Sequence, residues 1–123
     1  MLELVVAIAI LLVATLAAFG SQVKSFELMD SSRDAASAMT DLEVCMEEIL
    51  TRTADEMPVA FPPGTSIPGY DGLHLASERI VPQYPGYVAG GAVPDPLEIV
   101  LTATWNDGRS RPQRATLSTI KTR

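Results

Sequence analysis

Before Lys24 the chain has no basic residue, before Pro58 it has no proline, and its 123 residues include one cysteine, one histidine and one tryptophan. The lone Cys45 excludes an internal disulfide. With only His74 to accompany it, there is no Cys/His set for a structural metal and no supported thiol nucleophile. Cys45 reads instead as a small helix residue turned toward a packed surface. No phosphate-binding loop, paired-ligand spacing, nucleophile elbow or haem-attachment sequence occurs. Asp71, Asp95 and Asp107 lie in loop-forming sequence but without calcium-loop spacing. The expectation is no enzyme, and no catalytic, cofactor-binding or metal-binding residues.

What the chain does have is an apolar run from Leu4 to Phe19, interrupted only by Thr15, with a single carboxylate, Glu3, at its mouth. Thr15 is tolerated in hydrocarbon because its hydroxyl can bond back to a carbonyl one turn earlier. As a helix the run spans roughly 24 Å, a little short of the roughly 30 Å hydrocarbon core, so it crosses a membrane only if the bilayer thins. Ala18-Phe19-Gly20 offers a small-residue cleavage site, but the basic leader of a secretory signal is missing and an acid stands in its place. The segment is therefore expected to be retained. Ionisable residues at membrane depth mark functional sites by default, and Glu3 needs a cation. Lys24 lies more than five helical turns away, which points to another chain as the partner.

The opening Met1-Leu2-Glu3-Leu4-Val5-Val6-Ala7-Ile8-Ala9-Ile10-Leu11-Leu12 resembles the start of a mature type IV pilin or pseudopilin. Glu3 falls on that family's glutamate and Leu2 on the aliphatic residue before it. The family's glutamate is normally fifth, which implies two further residues ahead of Met1. The resemblance covers about the first twenty residues. It implies that Glu3 pairs with the N-terminal amine of a neighbouring subunit. It also implies an assembly surface of Glu3, Leu4, Val5, Val6, Ile8, Ile10, Leu11, Leu12, Leu16 and Phe19. Many type IV pilins close a C-terminal loop with a disulfide, which the lone Cys45 does not permit here.

Past Gly20 the pattern turns amphipathic while remaining helical. Ala35, Met39, Leu42, Met46 and Ile49 recur at spacings of four and three, with Asp34, Asp41, Glu43, Glu47 and Glu48 mostly off that face. One helix is predicted from about Leu2 to about Thr53, with no heptad seam long enough to make it a simple coiled coil. Gly20 is its weakest point, since glycine costs about 1 kcal/mol against alanine, and local stretching is expected there.

Residues 54–96 hold eight of the nine prolines and six of the eight glycines, and read as loop. Within them Glu78–Val81 and Tyr84–Val88 are candidate short strands, confined to an edge by Pro82 and Pro85. Tyr70, Tyr84 and Tyr87 read either as outer contact residues or as filling of a small core. Leu97, Ile99, Leu101, Ala103 and Trp105 alternate with Glu98, Val100, Thr102 and Thr104. Asn106-Asp107-Gly108 then turns the chain and Arg114–Lys121 returns, giving a hairpin with one apolar face. The strand pair is also similar to the closing strands of minor pilins and pseudopilins.

The predicted fold is α+β, a pilin-like lollipop in which a long N-terminal helix packs against a small C-terminal antiparallel sheet. Its segments are a helix over 1–53 (a polymerisation or membrane segment at 1–20, an amphipathic spine at 21–53), loops over 54–96 and a hairpin over 97–123. Head packing is assigned to Met39, Leu42, Met46, Ile49, Leu97, Ile99, Leu101 and Trp105.

Charge divides along the chain: ten acids against three bases in residues 1–60, five against six in 61–123. The late bases Arg109, Arg111, Arg114, Lys121 and Arg123 fit solvated strand ends, contact with a neighbouring subunit or nucleic acid, for which no recognition motif accompanies them. The expected function is that of a structural subunit of an extracellular filament on a bacterial surface, a helical homo-oligomer held in the inner membrane before assembly. The resemblance implies a prepilin peptidase and inner-membrane assembly machinery as partners. The alternatives are a minor pseudopilin of a type II secretion or DNA-uptake machine, and a single-pass anchored sensor or adaptor.

Overall fold

The structure, a computed structural model, describes residues 1–123. Its elements in chain order are α1 (Leu2–Leu50), α2 (Met57–Ala60), β1 (Arg79–Gln83), β2 (Leu97–Asn106) and β3 (Pro112–Lys121). The chain divides into two compact units, Met1–Arg33 and Asp34–Arg123. The first is helix alone and is described with the candidate site below.

In the second unit the C-terminal part of α1 packs against a three-stranded antiparallel sheet in the order β1-β2-β3, an α+β fold. β2 is central, and its alternation is the one the sequence predicts: Leu97, Ile99, Leu101, Ala103 and Trp105 are buried. Registered opposite them on β3 are Lys121, Thr119, Leu117, Ala115 and Gln113, which are half-buried. Each fully buried aliphatic side chain in this layer contributes about 1.5–3 kcal/mol relative to exposure.

The helix meets the sheet through Ala38, Leu42, Cys45, Met46 and Ile49. Leu42, Met46 and Ile49 are as predicted, but the stripe is rotated from the expected one. Ala35 is exposed, Met39 only half-buried, and Asp41 is buried. Periodicity puts the carboxylates mostly off the apolar face; Asp41 is buried against a partner far along the chain, His74. Cys45 is fully buried, and burial, aided by the nearby Glu48 charge, pushes its thiol up to about 12, so it is inert.

Two strand expectations need correction. Tyr84–Val88 is not a strand: Pro85-Gly86 makes a turn closed by Tyr87 N–H donating to Tyr84 O at 3.0 Å. Pro82 does not interrupt β1 but lies inside it, opposite Leu101. The carbonyls of Glu78, Ile80 and Pro82 face away from β2 and accept from Gly72 N–H, Ile67 N–H and Gly64 N–H at 2.9, 3.0 and 2.9 Å. The Pro82 nitrogen therefore points where the ladder needs no donor. The loop over 64–72 covers the outer edge of β1, a device that blunts an open strand.

The tyrosines serve the head itself. Tyr84 is buried, donates to Phe61 O at 3.1 Å and meets Tyr87 edge-to-face at 6.4 Å, while Tyr70 OH donates to Glu48 Oε2 at 2.6 Å. The late bases are also used internally. Arg111 Nε donates to Asp107 Oδ2 at 2.8 Å, and Arg123 pairs with Asp55 at 2.8 Å. The candidate loop acids serve separate turns: Asp107 accepts from the Arg109 and Arg111 amides, Asp71 from Ser66, and Asp95 from Arg123 N–H.

α1 ends at Leu50, three residues before the predicted boundary, with no basic residue in its last turn. The cation comes from β3 instead: Lys121 Nζ donates to Leu50 O at 2.7 Å and Arg52 O at 2.6 Å. A positive charge on terminal carbonyls satisfies groups the helix cannot and complements its dipole. Lys121→Met is expected to lower head stability by about 1 kcal/mol, read as a shifted urea midpoint with an unchanged slope. An unmoved midpoint would show the cap to be idle.

Candidate functional site: the N-terminal apolar helix

Unit 1 carries the apolar run as regular helix, with none of it buried. The helix is long and apolar enough to cross a membrane. Leu4, Val5, Val6, Ile8, Ile10, Leu11, Leu12, Leu16 and Phe19 are each at least half exposed, on all sides of the helix. Thr15 Oγ1 donates to Leu11 O at 3.0 Å and Leu12 O at 2.9 Å, so its hydroxyl needs no outside partner.

Glu3 stands in the first turn of α1, where the amide ends of the helix favour negative charge. It makes no hydrogen bond or ion pair within the chain. The nearest base in sequence, Lys24, is roughly 31 Å away along a helix. Gly20 is helical like its neighbours, and a Cβ there would meet nothing within 4 Å. Its side is open for a close neighbour.

Exposure also shows what the sequence reading missed. The apolar surface does not stop at residue 20: Val23, Phe26, Leu28 and Met29 are exposed too. Leu2, Val5, Ala9, Leu12, Leu16, Phe19, Val23 and Phe26 follow one another at alternating steps of three and four, a heptad seam that Asp30 and Arg33 end. Its second half lies among Ser21, Gln22, Lys24, Ser25 and Glu27, where the helix has a polar side that lipid would not solvate. The alternation was hidden because residues 4–19 are apolar in every direction, so no period stands out there. Shallow grooves lined by Ala7, Ile10, Leu11, Ala14 and Ala18 run beside the seam. Small residues of this kind allow helix backbones to approach closely.

No protein-family model, curated protein or solved structure matches this chain.

Proposed function

We propose that this protein is a pilin-like structural subunit, held in a membrane by the N-terminal part of α1 and polymerised through that helix into a filament. The observation that carries the reading is Glu3: a carboxylate at the head of an exposed apolar helix, with no partner in its own chain. A neighbouring subunit's N-terminal amine is a cation of the right kind, and pairing it with Glu3 sets the axial register of helices that are otherwise uniformly greasy. The seam supports packing against like helices over an isolated anchor, because Val23 and Phe26 extend it beyond what the apolar run alone would place in lipid. The role is structural, with assembly machinery and processing peptidase as partners and the cell surface as destination.

Helices withdrawn from lipid gain little from the hydrophobic effect, because lipid tails are already apolar; close packing and the Glu3 contact select the arrangement. Once water replaces lipid outside, burial stabilises by about 25 cal/mol per Å² of apolar surface. Filaments are therefore expected to survive high salt and reducing agent but to dissolve in bilayer-mimicking detergent, scored by electron microscopy and sedimentation. Dissolution in salt alone would make charged head contacts the principal glue. A chain that stays monomeric in the membrane under assembly-permissive conditions would instead establish a single-pass anchor.

A further inference from the structure

The head holds a group of titratable side chains that polymerisation does not use. Asp41 on α1 and Glu78 just before β1 are 4% and 1% exposed, the only buried charged residues in the chain. His74 Nδ1–H donates to both Asp41 oxygens, at 2.8 and 2.9 Å, from a ring that is otherwise largely open to solvent. Glu78 Oε2 accepts from His74 N–H at 3.2 Å and Leu75 N–H at 3.3 Å, closing the end of the loop on itself. Glu78 Oε1 is buried with no donor. Its charged neighbour is the Asp41 carboxyl, and a buried carboxyl oxygen that has no donor and lies near a second carboxylate favours the protonated form.

From this geometry we infer that Asp41, His74 and Glu78 form a proton-operated latch that holds the loop over 64–78 against α1 and across the outer edge of β1, loosening as protons leave. The loop supplies the three amides that cover β1, so its release bares the Glu78, Ile80 and Pro82 carbonyls for another strand or partner. The latch belongs to the head and stands whether or not the chain polymerises.

The groups facing it are few. α1 contributes Asp41, Cys45 and Glu48, and the loop contributes Tyr70 and His74; no charge on β2 or β3 bears on His74 or Glu78. Burial raises the Glu78 carboxyl above its ordinary value; the His74 and Leu75 amide donors pull it partly back, and the neighbouring Asp41 charge adds a smaller upward push. The hydrogen bond to Asp41, then its charge, raises His74 above the usual imidazole value. Cys45 and Tyr70 are also raised, which keeps them protonated at neutral pH.

The signs of the two active groups agree. A released Glu78 loses its proton at ordinary carboxylate pH while the docked one keeps it, so docking weakens as pH climbs from the ordinary carboxylate range to the raised one. A released His74 likewise becomes neutral near its ordinary value while the docked ring stays charged, so docking weakens further above that.

The test is residue-resolved amide exchange on the full chain in detergent micelles, between about pH 5 and about pH 8, with each rate divided by its intrinsic chemical rate. The Gly64, Ile67 and Gly72 amides are expected to lose protection by roughly tenfold for each pH unit by which the docked groups are raised, while Ala103 in β2 is unchanged. In Glu78→Gln the amide keeps an oxygen for the two loop N–H groups and has no proton to lose in this pH range. Its loop amides should stay protected at the upper pH, and His74→Gln should remove only the upper part of the wild-type change. Loop protection that does not vary with pH, equal loss at Ala103, or wild-type pH dependence in Glu78→Gln would each overturn the latch.

Discussion

Glu3→Ala is expected to leave membrane insertion intact and to abolish filament formation. Insertion depends on the apolar run, and removing a carboxylate near hydrocarbon lowers its cost: charged residues at a helix centre oppose insertion by about 2.5–3.5 kcal/mol, and less toward the ends. Assembly has the opposite dependence. A neighbour's amine brought beside the helix would lose its counter-ion, and breaking a desolvated pair by deleting one partner costs on the order of 3–5 kcal/mol. Summed over every contact in a polymer, that exceeds what one register of uniformly aliphatic helices holds over the next. The readouts are membrane fractionation, expected unchanged, and filament yield by electron microscopy, expected to fall to background. Glu3→Gln separates charge from shape. It keeps the oxygen acceptor, so a filament that forms as well with Gln would make hydrogen bonding the selective contact, and normal yield from Glu3→Ala would remove Glu3 from assembly altogether.

How much of this was legible beforehand depends on the range over which each feature is encoded. The apolar run and the β2 alternation are local patterns, and the structure has them where the residues put them; the hairpin is also there, but its turn runs over residues 107–111, with Asn106 still in β2 opposite Pro112 and β3 beginning two residues before Arg114. The spine was legible in kind but not in phase. Asp41 counts as polar in any periodicity, yet it is buried because His74, 33 residues later, donates to it. Lys121 ending α1 across 71 residues is invisible for the same reason. Pro82 was legible as an edge residue, but not as a strand interior, because that depends on which way its nitrogen faces once the loop over 64–72 has closed on β1. The Pro/Gly-rich segment announces turns without saying where they lead, and its fasteners, Tyr70 on Glu48 and His74 on Asp41, reveal their partners only in three dimensions.

That change of phase decides the largest stability effect in the head. Leu42 is fully buried between α1 and the sheet, whereas Met39, grouped with it by periodicity, is only half-buried at the margin of the same cluster. Leu42→Asp removes a buried side chain, itself worth about 2–5 kcal/mol by the Leu→Ala scale, and adds an unpaired carboxylate where no donor waits. The sum is comparable with the whole stability of a small domain, about 5–15 kcal/mol, so the head is expected to be unfolded or nearly so at room temperature. Met39→Asp should cost far less, because a half-buried side chain can lean its charge into water. Glu47→Ala should be close to silent. Glu48→Ala should fall between, losing about 0.5–1.5 kcal/mol with the Tyr70 hydrogen bond. Urea unfolding of the full chain in micelles, followed by Trp105 fluorescence, orders the four, with Leu42→Ala in reserve should the aspartate variant not fold. Equal midpoints for the Leu42 and Met39 variants would return the stripe to the phase that periodicity alone assigns, and would take Asp41, and with it the His74 contact, back out of the core.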